Sequence, residues 1–392
     1  MHDRLSTLPI LQHGFRPFFL MAALWAPVAL AIWLGALAGG PTPPTALPLT
    51  AWHPHELLFG YAGAVITGFL LTAVPNWTGR LPVTGTPLLG LCLLWVCARL
   101  AGLVAGAVLP LAAVVLDTVF WVVLAAAMGR EVAIGRNWRN LPVIGLVGLL
   151  GIACMLSVSE ALGTQTGPLG RRMALAVLLV LIGLVGGRVV PSFTRNWLAR
   201  RSAPYLPASF GQVDRVALAL LVVAATLWVA LPESQTAGAT LAIAGLATLI
   251  RLARWRGVAT GAEPLVVVLH LGYGWLGAGL LLHGLGIMFP EGPGRLATLH
   301  ALTAGLIGTM TLAIMTRATL GHTARALTAD RATVAIYVLV QAGAALRVTA
   351  PILPADYTTC LTVAALLWGG AFALYVVRYG PMLLGPRATG PA

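Results

Sequence analysis

Apolar runs of about 20 residues recur along the whole chain, and this recurrence constrains the fold more than any other feature. At 1.5 Å per residue, about 20 helical residues cross a hydrocarbon core of about 30 Å. Inside lipid each spanning segment must satisfy its own backbone N–H and C=O groups, so runs of this length read as helices. The spacing predicts about 12 of them, near residues 17–38, 53–75, 87–106, 109–128, 141–160, 173–190, 213–231, 238–252, 264–288, 296–316, 332–350 and 359–379. Composition agrees: 59% of the 392 residues are hydrophobic and 9% charged, against about 25% charged in ordinary soluble domains. With no polar stretch longer than about 28 residues, residues 1–392 are expected to form one all-α, polytopic transmembrane domain. The first run, roughly Phe18 to Leu37, exceeds a signal-peptide core and lacks a small-residue cleavage site, so it reads as a retained helix.

The formal charge is +13, and all 24 basic residues are arginine. Their distribution speaks for membrane topology rather than a nucleic-acid partner. With the N-terminus inside, about 19 arginines fall on the cytoplasmic side and about four outside, so both termini are expected to be cytoplasmic. The largest inner loop, Arg188 to Arg215, holds five arginines and is the expected surface helix or docking patch. Cys92, Cys97, Cys154 and Cys360 fall within or at the ends of expected spans. Without a CxxC or CxxCH pair they read as buried thiols, not as a redox motif or a covalent haem site.

The ends of the second, sixth and tenth helices share a faint pattern: Val74-Pro75-Asn76-Trp77-Thr78, Val190-Pro191-Ser192-Phe193-Thr194 and Met315-Thr316-Arg317. It repeats every four helices and suggests internal units 1–130, 131–260 and 261–392. Three four-helix groups with both ends inside resemble the plan of the catalytic subunit of haem-copper oxidases, an analogy of architecture alone.

Histidine carries most of the chemical signal, because a metal-binding side chain within a membrane is a functional candidate. Trp52-His53-Pro54-His55-Glu56 is expected to open the second helix, with Pro54 at the first helical position and Glu56 at the positive end of the dipole. His283 and His300 lie almost symmetrically about a turn centred near residue 292, at similar depth. These four make an outer group able to hold haem iron, copper or zinc. The expected arrangement is His55 and His300 as axial ligands of a non-covalent b-type haem, with His53 and His283 serving a second metal or a supporting role. Small residues on both helices (Gly60, Ala64 and Gly68; Ala304 and Gly308) would let a flat macrocycle approach, or simply pack helices. Arg347, at the same depth, suits a haem propionate or a lipid phosphate. His13, His270 and His322 form an inner group, read as a second metal or haem site or as headgroup anchors. Arg99 and Asp117 are symmetric about the turn at Ala107-Val108-Leu109 and should pair within the membrane, fixing helix register or moving protons.

Four stretches resemble the NnrS family of bacterial membrane proteins: HGFRPFFL (His13–Leu20), WHPHELLFGYAGAVITGFLLTAVPNWTGR (Trp52–Arg80), GGRVVPSFTRNWLAR (Gly186–Arg200) and HALTAGLIGTMTLAIMTRATLGHT (His300–Thr323). The family's W-H-x-H-E motif has Pro54 at its variable position here. The resemblance implies a haem protein, with copper, of the bacterial cytoplasmic membrane, linked to nitric oxide, denitrification and nitrosative stress. It marks His53, His55, His300, His13, Asn76, Arg188, Arg195, Arg317 and His322 as important positions.

Three functions follow as expectations. The first is a haem or haem-copper protein that binds, senses or reduces nitric oxide, with Glu56, Asp117 and Glu160 as proton-handling carboxylates and an unnamed electron donor. Against the oxidase plan, the sixth and seventh helices contain no histidine. The second is a transporter of a metal, haem or nitrogen oxide. The third is a membrane scaffold acting through its arginine-rich inner loops.

Overall fold

The apolar runs are helices in the structure, a computed structural model that describes residues 4–105, 109–291 and 294–388. Among the described residues there is no strand, and 12 helices are long and apolar enough to cross a membrane. They are α1 (Phe15–Leu37), α2 (Leu49–Thr78), α3 (Gly85–Val104), α4 (Pro110–Ile134), α5 (Trp138–Leu162) and α6 (Gly167–Arg200). The remainder are α7 (Gln212–Ala230), α8 (Gln235–Ala253), α9 (Pro264–Met288), α10 (Leu296–His322), α11 (Arg331–Ile352) and α12 (Tyr357–Leu384). The chain is therefore a multi-pass membrane protein. The centres of two turns used to judge depth, at residues 106–108 and 292–293, lie outside the described residues.

Several helices run longer than expected, and two of the differences bear on the site and the arginine-rich stretch. The second helix begins at Leu49 instead of residue 53, because the Pro48 carbonyl accepts from the Ala51 and Trp52 N–H groups, 2.8 Å each, and starts the turn there. Pro54 consequently lies inside the helix, where it cannot donate to the Thr50 carbonyl. The helix then widens into a π segment over Glu56–Ala62, a device by which freed backbone groups find new partners. The sixth helix passes through Pro191 and ends at Arg200, so about half of the arginine-rich stretch expected as a loop belongs to it, including Arg188, Arg195 and Arg200. Its 34 residues span about 51 Å at 1.5 Å per residue, longer than a hydrocarbon core. Only residues 201–211 separate it from α7.

The chain divides into two compact units. Unit 1 comprises Met1–Leu175, Ala318–Arg325 and Tyr375–Ala392; unit 2 comprises Ala176–Arg317 and Ala326–Leu374. Unit 1 packs α1 against α2 through aromatic rings laid on glycine, since a Cβ on Gly68 would stand 2.9 Å from the Phe19 ring. Unit 2 packs α8 against α9 backbone to backbone, with Gly245 facing Gly277. Such close approach is how helices associate where lipid removes the hydrophobic drive.

Candidate metal and cofactor site

Four helices of unit 1 converge on a buried polar cluster. The widened turn of α2 contributes His55 and Glu56, α3 contributes Arg99, α4 Asp117, and α5 both Cys154 and Ser157. Arg99 lies between two acids: Nη1 donates to Glu56 Oε2 at 2.6 Å and Nη2 to Asp117 Oδ1. The other Asp117 oxygen, Oδ2, is 3.1 Å from His55 Nε2, and His55 Nδ1 is 3.0 Å from Ser157 Oγ. Trp25 Nε1 donates to Glu56 Oε2 at 2.9 Å, and Arg99 sits 6.0 Å from the Trp95 ring centroid. All four ionisable groups are at most 3% exposed. A lone charge there would be very costly, so the network itself explains how the chain tolerates them.

The pairing of Arg99 with Asp117 expected from the turn symmetry is present. Glu56 departs from its expected place: it does not serve the start of a helix but partners Arg99 and Trp25 from within α2, because the helix begins a turn and more earlier.

Cys154 completes a group that the sequence did not single out. One donor atom each from His55, Asp117 and Cys154 lie within 4.8 Å of one another, and all three residues are buried. A nitrogen, an oxygen and a sulfur donor together suit zinc or copper better than a hard cation. Ser157 holds the far side of the imidazole, as outer partners of metal ligands commonly do. With two carboxylates facing one guanidinium, the ionised cluster carries one net negative charge, which favours an added cation. The available sequence signal was the spacing of Cys154 and Ser157, three residues apart and so on one helix face. His53 lies apart from this group, half-buried and stacked on Trp33 at 4.8 Å.

Unit 2 holds His300, His283, His270 and Arg347. His300 Nδ1 donates to the Leu296 carbonyl at 2.6 Å, which leaves Nε2 as its ligand atom. Arg347 is near enough to act on His300 electrostatically, and its buried Nη1 makes no hydrogen bond. His283 Nδ1 is 3.2 Å from Thr298 Oγ1, with the ring edge-on to Trp228 at 5.2 Å. His270 Nε2 meets Thr194 Oγ1 at 2.8 Å. A second buried network went unnoticed in the sequence: Arg251 Nε donates to Asp214 Oδ1 at 2.9 Å, and Nη1 to the Tyr273 hydroxyl at 2.7 Å and the Gly183 carbonyl at 3.1 Å. It ties α6, α7, α8 and α9 together.

Of the small residues on α2 and α10, Gly60, Gly68 and Gly308 pack against the protein's own rings, the helix-packing alternative of the sequence reading. A Cβ on Gly60 would stand 2.7 Å from Trp25 Nε1, and one on Gly308 2.5 Å from Trp368 Nε1. Indole N–H groups also reach the backbone here, Trp95 to the Gly60 carbonyl at 3.2 Å and Trp368 to the Ala304 carbonyl at 3.1 Å. A π turn loosens the backbone ladder and exposes carbonyls that a tryptophan can cap.

Of the inner group, His13 and His322 meet at one ring: Phe15 lies 6.0 Å from the first and 5.3 Å from the second. His270 belongs to the other unit. Asn76 donates to the Thr72 carbonyl, Arg195 to the Pro207 carbonyl, and Arg317 lies 3.8 Å from the Phe193 centroid. Glu160 accepts from Arg171 at 2.5 Å.

Against known proteins, the family described as "NnrS protein" matches residues 9–387. No curated protein matches the chain.

Proposed function

The chain belongs to the NnrS family, and from that premise we propose that it is a haem- and copper-binding protein of the bacterial cytoplasmic membrane that binds or reduces nitric oxide. The observation that carries the reading is the buried group His55, Asp117 and Cys154, three donors of different chemistry gathered from three helices. This is the place for copper. A thiolate and an imidazole would favour its cuprous form, the Cys154 proton leaving as the ion enters, so that the net charge of the cluster stays as it was.

Haem would be held by residues of unit 2. His300, its Nδ1 anchored on a carbonyl, would hold the iron through Nε2, and Arg347 offers an unsatisfied buried N–H to a propionate. His55, also expected to hold the haem, has both ring nitrogens engaged, by Ser157 and Asp117. When bound, haem or copper supplies a centre that binds nitric oxide and exchanges electrons. The chain itself supplies carboxylates, Glu56 and Asp117, beside a water-poor site where protons would be needed.

The test is the reduced-minus-oxidised spectrum and the metal content of detergent-purified protein, compared with His300→Ala, His55→Ala and Cys154→Ser. Haem bands should vanish in His300→Ala, and copper should fall in the other two while the bands of Cys154→Ser persist. Haem bands that persist in His300→Ala would contradict its assignment to that histidine. A colourless, metal-free wild type prepared with haem and copper supplied would overturn the reading. It would favour a transporter, for which the ionic chain Glu56–Arg99–Asp117–His55 inside the spans is the supporting observation.

A further inference from the structure

Arginines buried in this protein meet carboxylates: Arg99 has Glu56 and Asp117, and Arg251 has Asp214. Among the described residues, Arg16 is the exception. It is 1% exposed, yet its partners are backbone carbonyls alone, with Nη1 donating to Met382, Leu383 and Gly385 at 3.4, 2.9 and 2.6 Å. Those carbonyls close the end of α12, whose partial negative charge of about half a unit offsets only part of the guanidinium. The buried Arg16 Nε has no hydrogen-bond partner.

More positive charge gathers around it. Arg325, just past α10, acts on Arg16, and Arg387, just past α12, acts on both His13 and His322. The two histidines flank the Phe15 ring, which also carries the Arg16 guanidinium at 5.8 Å. The tail is pinned here, since the Ala388 N–H donates to the Thr323 carbonyl at 3.0 Å while Arg325 Nη1 reaches the same oxygen at 3.3 Å. Among the described residues no carboxylate pairs with any of these five side chains. So much like charge would repel a metal cation, which argues against reading His13 and His322 as a second metal site.

We propose that His13, Arg16, His322, Arg325 and Arg387, at the junction of the α1 start with the ends of α10 and α12, form a binding site for a phosphate group. Arginine forks suit phosphate oxygens, and imidazoles add further donors. The group stands at the ends of three spans, where lipid headgroups would lie. The same chemistry is offered by an anionic lipid or by free phosphate.

The full-length protein is tested in neutral-lipid nanodiscs and in detergent, with phosphatidylglycerol and inorganic phosphate as separate probes. Native mass spectrometry counts retained lipid, and thermal shift reads phosphate. Arg325→Gln with Arg387→Gln should weaken whichever ligand binds by about tenfold or more. Restoring charge with Arg325→Lys and Arg387→Lys should recover part of it. If the double variant fails to fold, Arg387→Gln alone serves, because that side chain is exposed and outside any helix. Saturable binding of phosphatidylglycerol alone identifies a lipid site, and a shift with inorganic phosphate identifies a site open to the free ion. No saturable binding of either by the wild type at physiological salt overturns the proposal, as does equal binding by the glutamine variants.

Discussion

His55 and His300 stand in the same local frame: each is the last α-helical residue before a seven-residue π segment, Glu56–Ala62 in one case and Ala301–Ile307 in the other. Each is followed by leucine two residues on (Leu57, Leu302) and glycines five and eight on (Gly60 and Gly63, Gly305 and Gly308). Each glycine faces an indole, Trp25 and Trp121 in unit 1 and Trp275 and Trp368 in unit 2. Two units thus present histidine in one way, although only His55 has thiol and carboxylate neighbours. A π segment turns side chains relative to an α-helix and is frequent at functional positions.

Removing Arg99 should harm the protein more than removing either acid. Arg99→Met leaves Glu56 and Asp117 both uncompensated, whereas Asp117→Asn leaves Arg99 its bond to Glu56. Breaking a buried pair costs about 3–5 kcal/mol. Thermal denaturation in detergent should rank Arg99→Met lowest, and a smaller loss than in Asp117→Asn would contradict the network.

Gly308→Ala should be costly and Gly90→Ala should not. A Cβ at Gly308 would stand 2.5 Å from Trp368 Nε1, itself bound to the Ala304 carbonyl, while nothing lies within 4 Å of one at Gly90. Overpacking costs about 1–3 kcal/mol, and alanine for glycine in an open helix position gains about 0.5–1 kcal/mol. Melting temperatures of the two variants should therefore move in opposite directions.

Trp368→Phe keeps most of the ring but deletes the donor to the Ala304 carbonyl in the π segment. Leaving that acceptor unmet should cost about 1–3 kcal/mol. Amide exchange over residues 301–307 should quicken, while exchange over the corresponding unit 1 segment, residues 56–62, stays as in the wild type. Equal exchange in both segments would show that the indole does not hold the turn.

Arg16→Met should loosen the last turn of α12, because two of its carbonyls, Met382 and Leu383, and that of Gly385 just beyond it lose their donor. Proteolysis after residue 382 should accelerate without a matching change at the α1 start. Unchanged cleavage would show that the cap contributes little.

The sequence by itself determined that this chain is a set of spanning helices, because lipid demands apolar runs of fixed length whose backbones satisfy themselves. It also determined the Arg99–Asp117 pair, since a short turn brings adjacent helices together at levels set by counting residues. His55 could be singled out for its residue type in an apolar run. Its partners could not, because Cys154 and Ser157 lie about 100 residues away, on a helix whose facing side no local pattern reveals. The same holds for Glu56, whose partner depended on where α2 begins and on how far a π segment turns it. Only the tertiary structure decided these, because which faces meet depends on side-chain volumes and backbone distortions summed over several helices.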